Sequence, residues 1–326
     1  MATKTRTGRS IVAEPEPSVN LGLTLEAGLD DFRRHLLAEV QTGNKSRATV
    51  AVYTAGVERF IAYVREQGMP PTIDGIRREH VEAFLGALHE QGRKPSTLAT
   101  YYRGLRQFFG WAVDEDELER SPMEKIKPPQ IPDEAPPVLR EEQIRALLKA
   151  CAGNGFEARR DSAIVELFLG TGMRRAELTG LTMNSIDRDT GTAIVLGKGR
   201  KGGKWRSVPI GAQARKALDR YLRLRGRHPQ ARGTEALWIG HKGPLTTDGI
   251  RQMLERRGRQ AGIEGLHAHL FRHTFAHDAL SNEMAEGDLM MLAGWKSPSM
   301  LRRYGASAAA ERAIAAYRRY DARRGR

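Results

Sequence analysis

Between about Thr24 and Val113, apolar residues recur at helical spacing. Tyr53, Val57, Phe60, Ile61 and Val64 form one stripe, which Gly68 ends. Val81, Phe84, Leu85 and Leu88 form another, closed near Gly92. Leu98, Tyr101, Leu105, Phe108 and Ala112 form the clearest, with Ser96 placed to cap it. Their helical spacing assigns the aromatics to core packing rather than base stacking. No strand pattern interrupts, so the region predicts a small helical domain over 21–120, after a polar, disordered tail over 1–20.

From Ser121 to Pro137 the pattern fails. Pro122, Pro128, Pro129, Pro132, Pro136 and Pro137 remove amide donors and forbid a helix or a central strand, which predicts a linker over 121–137. A semi-rigid linker lets two domains grip opposite sides of an elongated partner. Helical periodicity resumes with Ile144, Leu147 and Leu148, then Ala163, Ile164, Leu167 and Phe168, and Gly170-Thr171-Gly172 breaks it. Thr192–Leu196 and Trp205–Ile210 read as strands around a glycine-rich basic turn, hence a hairpin or small meander. Helical patterns then run from about Ala212 to the C-terminus. The fold class is mainly α with a small β hairpin or sheet, in two domains, the second over 138–326.

Composition adds a partner. The chain of 326 residues carries a formal net charge of +14, an excess that favours a polyanion, nucleic acid first. No apolar run approaches the roughly 18 residues of a membrane span. The lone cysteine, Cys151, supplies neither an internal disulfide nor a cysteine-rich zinc site; a reducing cytoplasm fits, and the surrounding periodicity makes Cys151 a core filler. Glu177 and Asp161 are scattered among basic residues rather than clustered, so no metal site is expected and phosphate chemistry would rest on cations.

Five stretches can carry that chemistry. Thr171-Gly172-Met173-Arg174-Arg175-Ala176-Glu177-Leu178 sets an arginine at a glycine-opened helix start. Gly197-Lys198-Gly199-Arg200-Lys201 puts a lysine on a turn. His269-Leu270-Phe271-Arg272 holds two side chains on one helix face. Trp295 follows Gly294, and Tyr304 ends a short helix for which Ser297 is a suitable cap and Pro298 a suitable first residue.

These motifs, in this order, resemble the catalytic domain of the tyrosine recombinases, the phage integrase family. The matching elements are Thr-Gly-Met-Arg-x-x-Glu-Leu at 171–178, Gly-Lys-Gly at 197–199 followed by Val208-Pro209, His-x-x-Arg-His at 269–273, and Gly-Trp ahead of Tyr304. The helical region, above all Ser96 to Ala112, resembles that family's SAM-like core-binding domain. The resemblance implies two domains forming a C-shaped clamp on DNA, and a site-specific recombinase acting as a homo-tetramer without cofactor, metal or ATP. It implies that Arg174 and Arg272 bind the scissile phosphate, and that Lys198 protonates the departing 5′ oxygen. His269 would assist proton transfer at Tyr304, which attacks phosphorus to form a 3′-phosphotyrosyl link. Glu177 would orient the first arginine. Many members have His where this chain has Trp295, whose N–H donates but exchanges no proton.

Lys94, Thr97, Arg103 and Arg106 lie on the polar side of the clearest first-domain helix and are candidate DNA contacts in a major groove. Arg200, Lys201 and Lys204 are candidate phosphate contacts. The last pattern, from Ala308 to Arg324, includes Ile314 and Tyr317 and predicts a helix, which the resemblance implies docks on a neighbouring protomer. Two alternatives stay open, a DNA-binding regulator that no longer cuts and a type IB topoisomerase. The DNA target and the biological purpose, whether integration, excision, dimer resolution or transposition, are not legible.

Overall fold

The structure, a computed structural model, describes residues 22–132, 134–197, 204–295 and, beyond these, 297, 298, 301, 304, 309, 313, 314, 317, 318, 320, 321 and 324. The expected tail over 1–20 and the turn residues Lys198, Arg200 and Lys201 lie outside them. The chain divides into two compact units, Met1–Pro132 and Asp133–Arg326.

Among the described residues, four helices build the first unit: α1 (Leu25–Gln41), α2 (Arg47–Glu66), α3 (Arg78–Glu90) and α4 (Pro95–Asp114). The Thr24 and Ser46 hydroxyls cap α1 and α2 by accepting from the amides of Ala27 and Thr49. Ser96 does not cap α4. The helix starts at Pro95, whose missing N–H is no loss at a first helical position. The core is aromatic: Phe32 meets Phe108 edge-on at 5.6 Å, and Phe60 meets Phe84 at 5.3 Å. This is the packing role that helical spacing predicted. Tyr102 is more deeply buried than Tyr101, and its hydroxyl donates to the Ile126 carbonyl at 2.7 Å. Met123 and Ile126 join this core, so the first part of the proline-rich stretch packs on the helical unit.

The second unit runs α5 (Glu141–Ala150), α6 (Phe156–Thr171), α7 (Arg175–Thr179), β1 (Ile186–Asp187), β2 (Thr192–Leu196), β3 (Trp205–Pro209) and α8 (Ala212–Arg225). It continues with β4 (Ile239–Gly240), β5 (Gly243–Pro244), α9 (Thr247–Gln260), α10 (Ala268–Ser281) and α11 (Glu286–Ala293). Strands β1, β2 and β3 form an antiparallel meander in which Ile194 faces Ser207 and Leu196 faces Trp205. The mainly α class with a small sheet is the observed class. Strand β1 and the β4–β5 ribbon, each strand two residues long, had no sequence signature. Phe168 of α6 stacks on Phe271 of α10 at 5.5 Å in the main core. Cys151 lies buried there, and burial pushes its thiol up to about 11, so it is an inert filler at neutral pH.

A second, smaller core matters more for chemistry. Ala276, Ala279 and Leu280 of α10 pack with Leu289 and Ala293 of α11 and with Trp295, Leu301 and Tyr304. Two glycines set its boundary. Gly172 ends α6 in the left-handed conformation, φ 57°, and a β-carbon there would lie 2.4 Å from the Phe275 ring. Gly294 ends α11 the same way, at φ 64°.

Asp161, expected among basic residues, is held among three arginines inside the second unit. It is fully buried, and its carboxylate accepts from Arg160 at 2.8 Å, Arg256 at 2.8 Å and Arg257 at 2.9 Å, tying α6 to α9. Removing that charge strands the buried Arg160 guanidinium. Asp161→Asn is therefore expected to lower stability by about 3 kcal/mol, seen as a lower urea midpoint for the full chain.

Candidate active site

Arg174 caps α7 from outside. Its backbone N–H donates to Glu177 Oε2 at 2.8 Å and its Nη1 to Oε1 at 2.8 Å, and its Nη2 reaches the Gly294 carbonyl at 3.4 Å. The carboxylate is shared. Arg206 of β3 forks onto both Glu177 oxygens, at 2.9 and 2.8 Å, and donates Nε to the Leu292 carbonyl at 2.9 Å. Burial alone would raise the Glu177 carboxyl. Hydrogen bonds from Arg206 and Arg174 outweigh it and hold the group below its ordinary value.

Arg272 comes from α10 and is buried. Its Nη1 donates to the Gly172 carbonyl at 2.8 Å and its Nη2 to the Ala293 carbonyl at 2.6 Å. Burial, and then the nearby Arg174, push its guanidinium down to about 10, so it stays charged at neutral pH but at a cost. An anion delivered here would relieve that cost.

Three layers follow. The Arg272 guanidinium carbon lies 5.0 Å from the centre of the Trp295 ring. Trp295 stacks on Tyr304 with centroids 5.6 Å apart and planes 9° from parallel. Trp295 is buried, and its Nε1–H has no hydrogen-bond partner among the described residues. The Tyr304 hydroxyl meets His273 Nδ1. Tyr304 is itself only 2% exposed. Leu301 and Tyr304 are helical, and the Leu301 amide donates to the Pro298 carbonyl at 2.9 Å. Ser297 and Pro298 lie outside the helix, on its N-terminal side.

His269 lies one turn before His273, with ring centroids 4.7 Å apart and edge to face. Its side chain reaches solvent, yet the surrounding protein, with Arg272, His267 and Arg174, holds its pKa below the ordinary value. It is therefore mostly neutral at pH 7.

The structure thus gathers Arg174, Glu177, Arg272, Trp295 and Tyr304, with His269 at the edge. Sequence reasoning missed two residues. Arg206 shares the inward face of β3 with Val208, and an arginine at a core-side strand position signals a buried partner. His273 follows Arg272 directly and stands one helical turn from His269, which was the available signal.

The candidate DNA contacts are less coherent. Lys94, Arg103 and Arg106 are exposed and Thr97 half-buried. Thr97 and Arg106 are separated by about two and a half turns and so point to opposite sides of α4, contrary to the single polar side expected. The Arg103 guanidinium folds back onto the Ala99 carbonyl and the Thr100 hydroxyl. Lys204 is exposed just before β3. Ile314 and Tyr317 of the last helical stretch are exposed. Among the described residues, no helix is long and apolar enough to cross a membrane, and no group of three or more His, Cys, Asp or Glu is arranged to hold a metal ion.

Residues 137–311 match the phage integrase family, and residues 32–118 match the phage integrase N-terminal SAM-like domain. The tyrosine recombinase XerC of Azotobacter vinelandii is 32% identical over 262 residues, covering 79% of this chain and 84% of that protein. Two solved structures share the fold. The XerH site-specific recombinase bound to palindromic difH substrate aligns with TM-score 0.67 and 21% identity, covering 82% of this chain and 78% of that one. A lambda integrase tetramer bound to a Holliday junction aligns with TM-score 0.65 and 16% identity, covering 86% and 79%.

The shared carboxylate gives a pH test. A depressed pKa adds stability that is complete above the ordinary value of 4.5 and lost as pH falls through the lower folded value. Glu177→Gln, which leaves two guanidinium groups facing a neutral amide, is expected to cost about 3 kcal/mol at pH 7. The gap from wild type in urea unfolding should close progressively below the ordinary value. A gap unchanged down to pH 3 would show that the carboxylate's charge is irrelevant to the fold.

Proposed function

Because the chain belongs to the phage integrase family, the tyrosine recombinases, we propose that it cuts and rejoins DNA at specific sites through a 3′-phosphotyrosyl intermediate at Tyr304. The observation that carries the reading is the layered set of Arg272, Trp295 and Tyr304, with an indole N–H unpartnered among the described residues beside the anchored Arg272 guanidinium.

A phosphodiester resists attack because its oxygens repel nucleophiles and its transition state gathers negative charge on them. Arg174 and Arg272 bind the non-bridging oxygens and stabilise that charge. Their backbone and Glu177 anchors hold them in place before substrate arrives, which spares reorganisation. The Trp295 Nε1–H supplies a further donor to the phosphate. Tyr304 attacks phosphorus, and Lys198 gives a proton to the departing 5′ oxygen. His269 contacts the phosphate and assists proton movement. The bond energy is kept in the phosphotyrosyl link, so a 5′ hydroxyl from another duplex reseals the strand without ATP, and the roles assigned need no metal.

In this reading residues 21–120 bind the core DNA site, 121–137 connect, and 138–326 carry out catalysis. Lys94, Thr97, Arg103, Arg106, Arg200, Lys201 and Lys204 contact DNA, while Ile314 and Tyr317 dock the last helix on a neighbouring protomer. The working unit is a homo-tetramer on two sites, a reading supported by the lambda integrase tetramer of similar fold. Its role is integration or excision of a mobile element, or resolution, in the cytoplasm. The unpartnered indole donor and the buried tyrosine favour a cutting enzyme over a regulator that only binds, which needs neither.

Covalent capture tests this. Labelled segments of the DNA flanking the gene, nicked so that the released 5′ fragment diffuses away, are mixed with wild-type protein or Tyr304→Phe in EDTA. A slow band on a denaturing gel with wild type, and none with the variant, is the expected outcome. Both proteins should retard the segment equally on a native gel. Retardation with no covalent band on any bound segment would favour the regulator.

A further inference from the structure

We infer that His273 is the base that removes the Tyr304 proton during strand cleavage, an inference that rests on the tyrosyl transfer proposed above. The contact is direct. His273 Nδ1 meets the Tyr304 hydroxyl, whereas His269 stands one helical turn away with its ring against His273. Nδ1 accepts from the hydroxyl in the neutral tautomer that carries its proton on Nε2. His273 is placed by a rigid element, α10, whose next residue back, Arg272, is locked to two backbone carbonyls. The Tyr304 ring is placed by its stack on Trp295. Both partners of the proton transfer are therefore held before DNA binds.

The step balances. The Tyr304 O–H bond breaks and its proton passes to Nδ1, leaving His273 an imidazolium. The phenolate oxygen forms the bond to phosphorus as the bond to the 5′ oxygen breaks, and that oxygen leaves with the proton from Lys198. On resealing, an incoming 5′ hydroxyl forms the bond to phosphorus and gives its proton to the neutral Lys198 amine, while the phosphotyrosyl bond breaks and the imidazolium returns its proton to Tyr304. Among the described residues, the charged and titratable groups around this pair include His269, Arg272 and, one turn further on, His277 of the same helix, with Arg174, Glu177 and Arg206 around Arg272. A new imidazolium beside those guanidinium groups is disfavoured until a phosphate supplies compensating negative charge. His273 thus becomes an effective base when the scissile phosphate is in place, which restrains the tyrosine in the absence of substrate.

The test is single-turnover cleavage of the flanking segment that yields an adduct with wild type, comparing wild type, His273→Asn and His273→Ala. Asn keeps a hydrogen-bond acceptor near the Nδ1 position without basicity. Both variants should retard the DNA as wild type does and cleave about 100-fold more slowly or worse. The wild-type rate should level off once His273 is neutral, while both variants keep gaining with pH as hydroxide takes the proton. Added imidazole should restore His273→Ala in part. Cleavage by both variants within about threefold of wild type would overturn the inference, and so would a wild-type rate for His273→Asn alone, since the ring would then only position the hydroxyl. No adduct with wild-type protein on any segment would instead overturn the tyrosyl-transfer reading and this inference with it. Should His273→Ala lose DNA binding, His273→Asn decides.

Discussion

Guanidinium groups repel one another, yet Arg174, Arg206 and Arg272 are gathered around one site, and much of the second unit is arranged to make that possible. One negative charge, Glu177, serves Arg174 and Arg206 together. Backbone carbonyls supply the rest: Gly172 at the end of α6, and Leu292, Ala293 and Gly294 at the end of α11. Helix ends leave carbonyls without intrahelical partners and carry the negative end of the helix dipole. Two helix C-termini therefore do what further carboxylates would otherwise do. The advantage is chemical. Carboxylates would neutralise the site, whereas carbonyls hold the cations without cancelling their charge, which the proposed reaction uses on a phosphate.

This constraint explains the two glycines. A helix that ends against a buried arginine must turn its last carbonyls toward it within one residue. The left-handed turn at Gly172 and Gly294 does so at little backbone cost. A side chain at either position would also meet Phe275 or the Arg206 guanidinium. The Thr-Gly-Met-Arg and Gly-Trp motifs thus encode the anchoring of arginines as much as the arginines and the tryptophan.

Much of this was legible. The stripe Tyr53, Val57, Phe60, Ile61 and Val64 gave α2 because a buried helix face repeats locally, and β-branched Thr192–Leu196 gave β2 with the bounds observed. What was lost is non-local. Strand β1 and the β4–β5 ribbon are too short to show a period of two. Asp161 looked like a stray acid because its partners Arg256 and Arg257 lie far along the chain on α9. Arg206 fell inside the expected strand Trp205–Ile210 without standing out, since its partner Glu177 belongs to a different element. Distances that depend on folding three elements together leave no periodic trace in sequence.

Trp295 marks the deepest dependence of chemistry on packing. An indole cannot exchange a proton, so at this position the chain gains a stacking plate and one donor and gives up an acid–base group. The plate binds the small core of α10 and α11 to Arg272 on one side and Tyr304 on the other. Proton movement must then come from elsewhere, and the adjacent face of α10 carries His269 and His273 one turn apart. An aromatic spacer and a pair of histidines divide the work that a histidine at position 295 would share. In the proposed reaction, geometry falls to the tryptophan and proton traffic to the helix beside it. The arrangement accounts for a tyrosine that is almost wholly buried and yet has its hydroxyl on a titratable nitrogen.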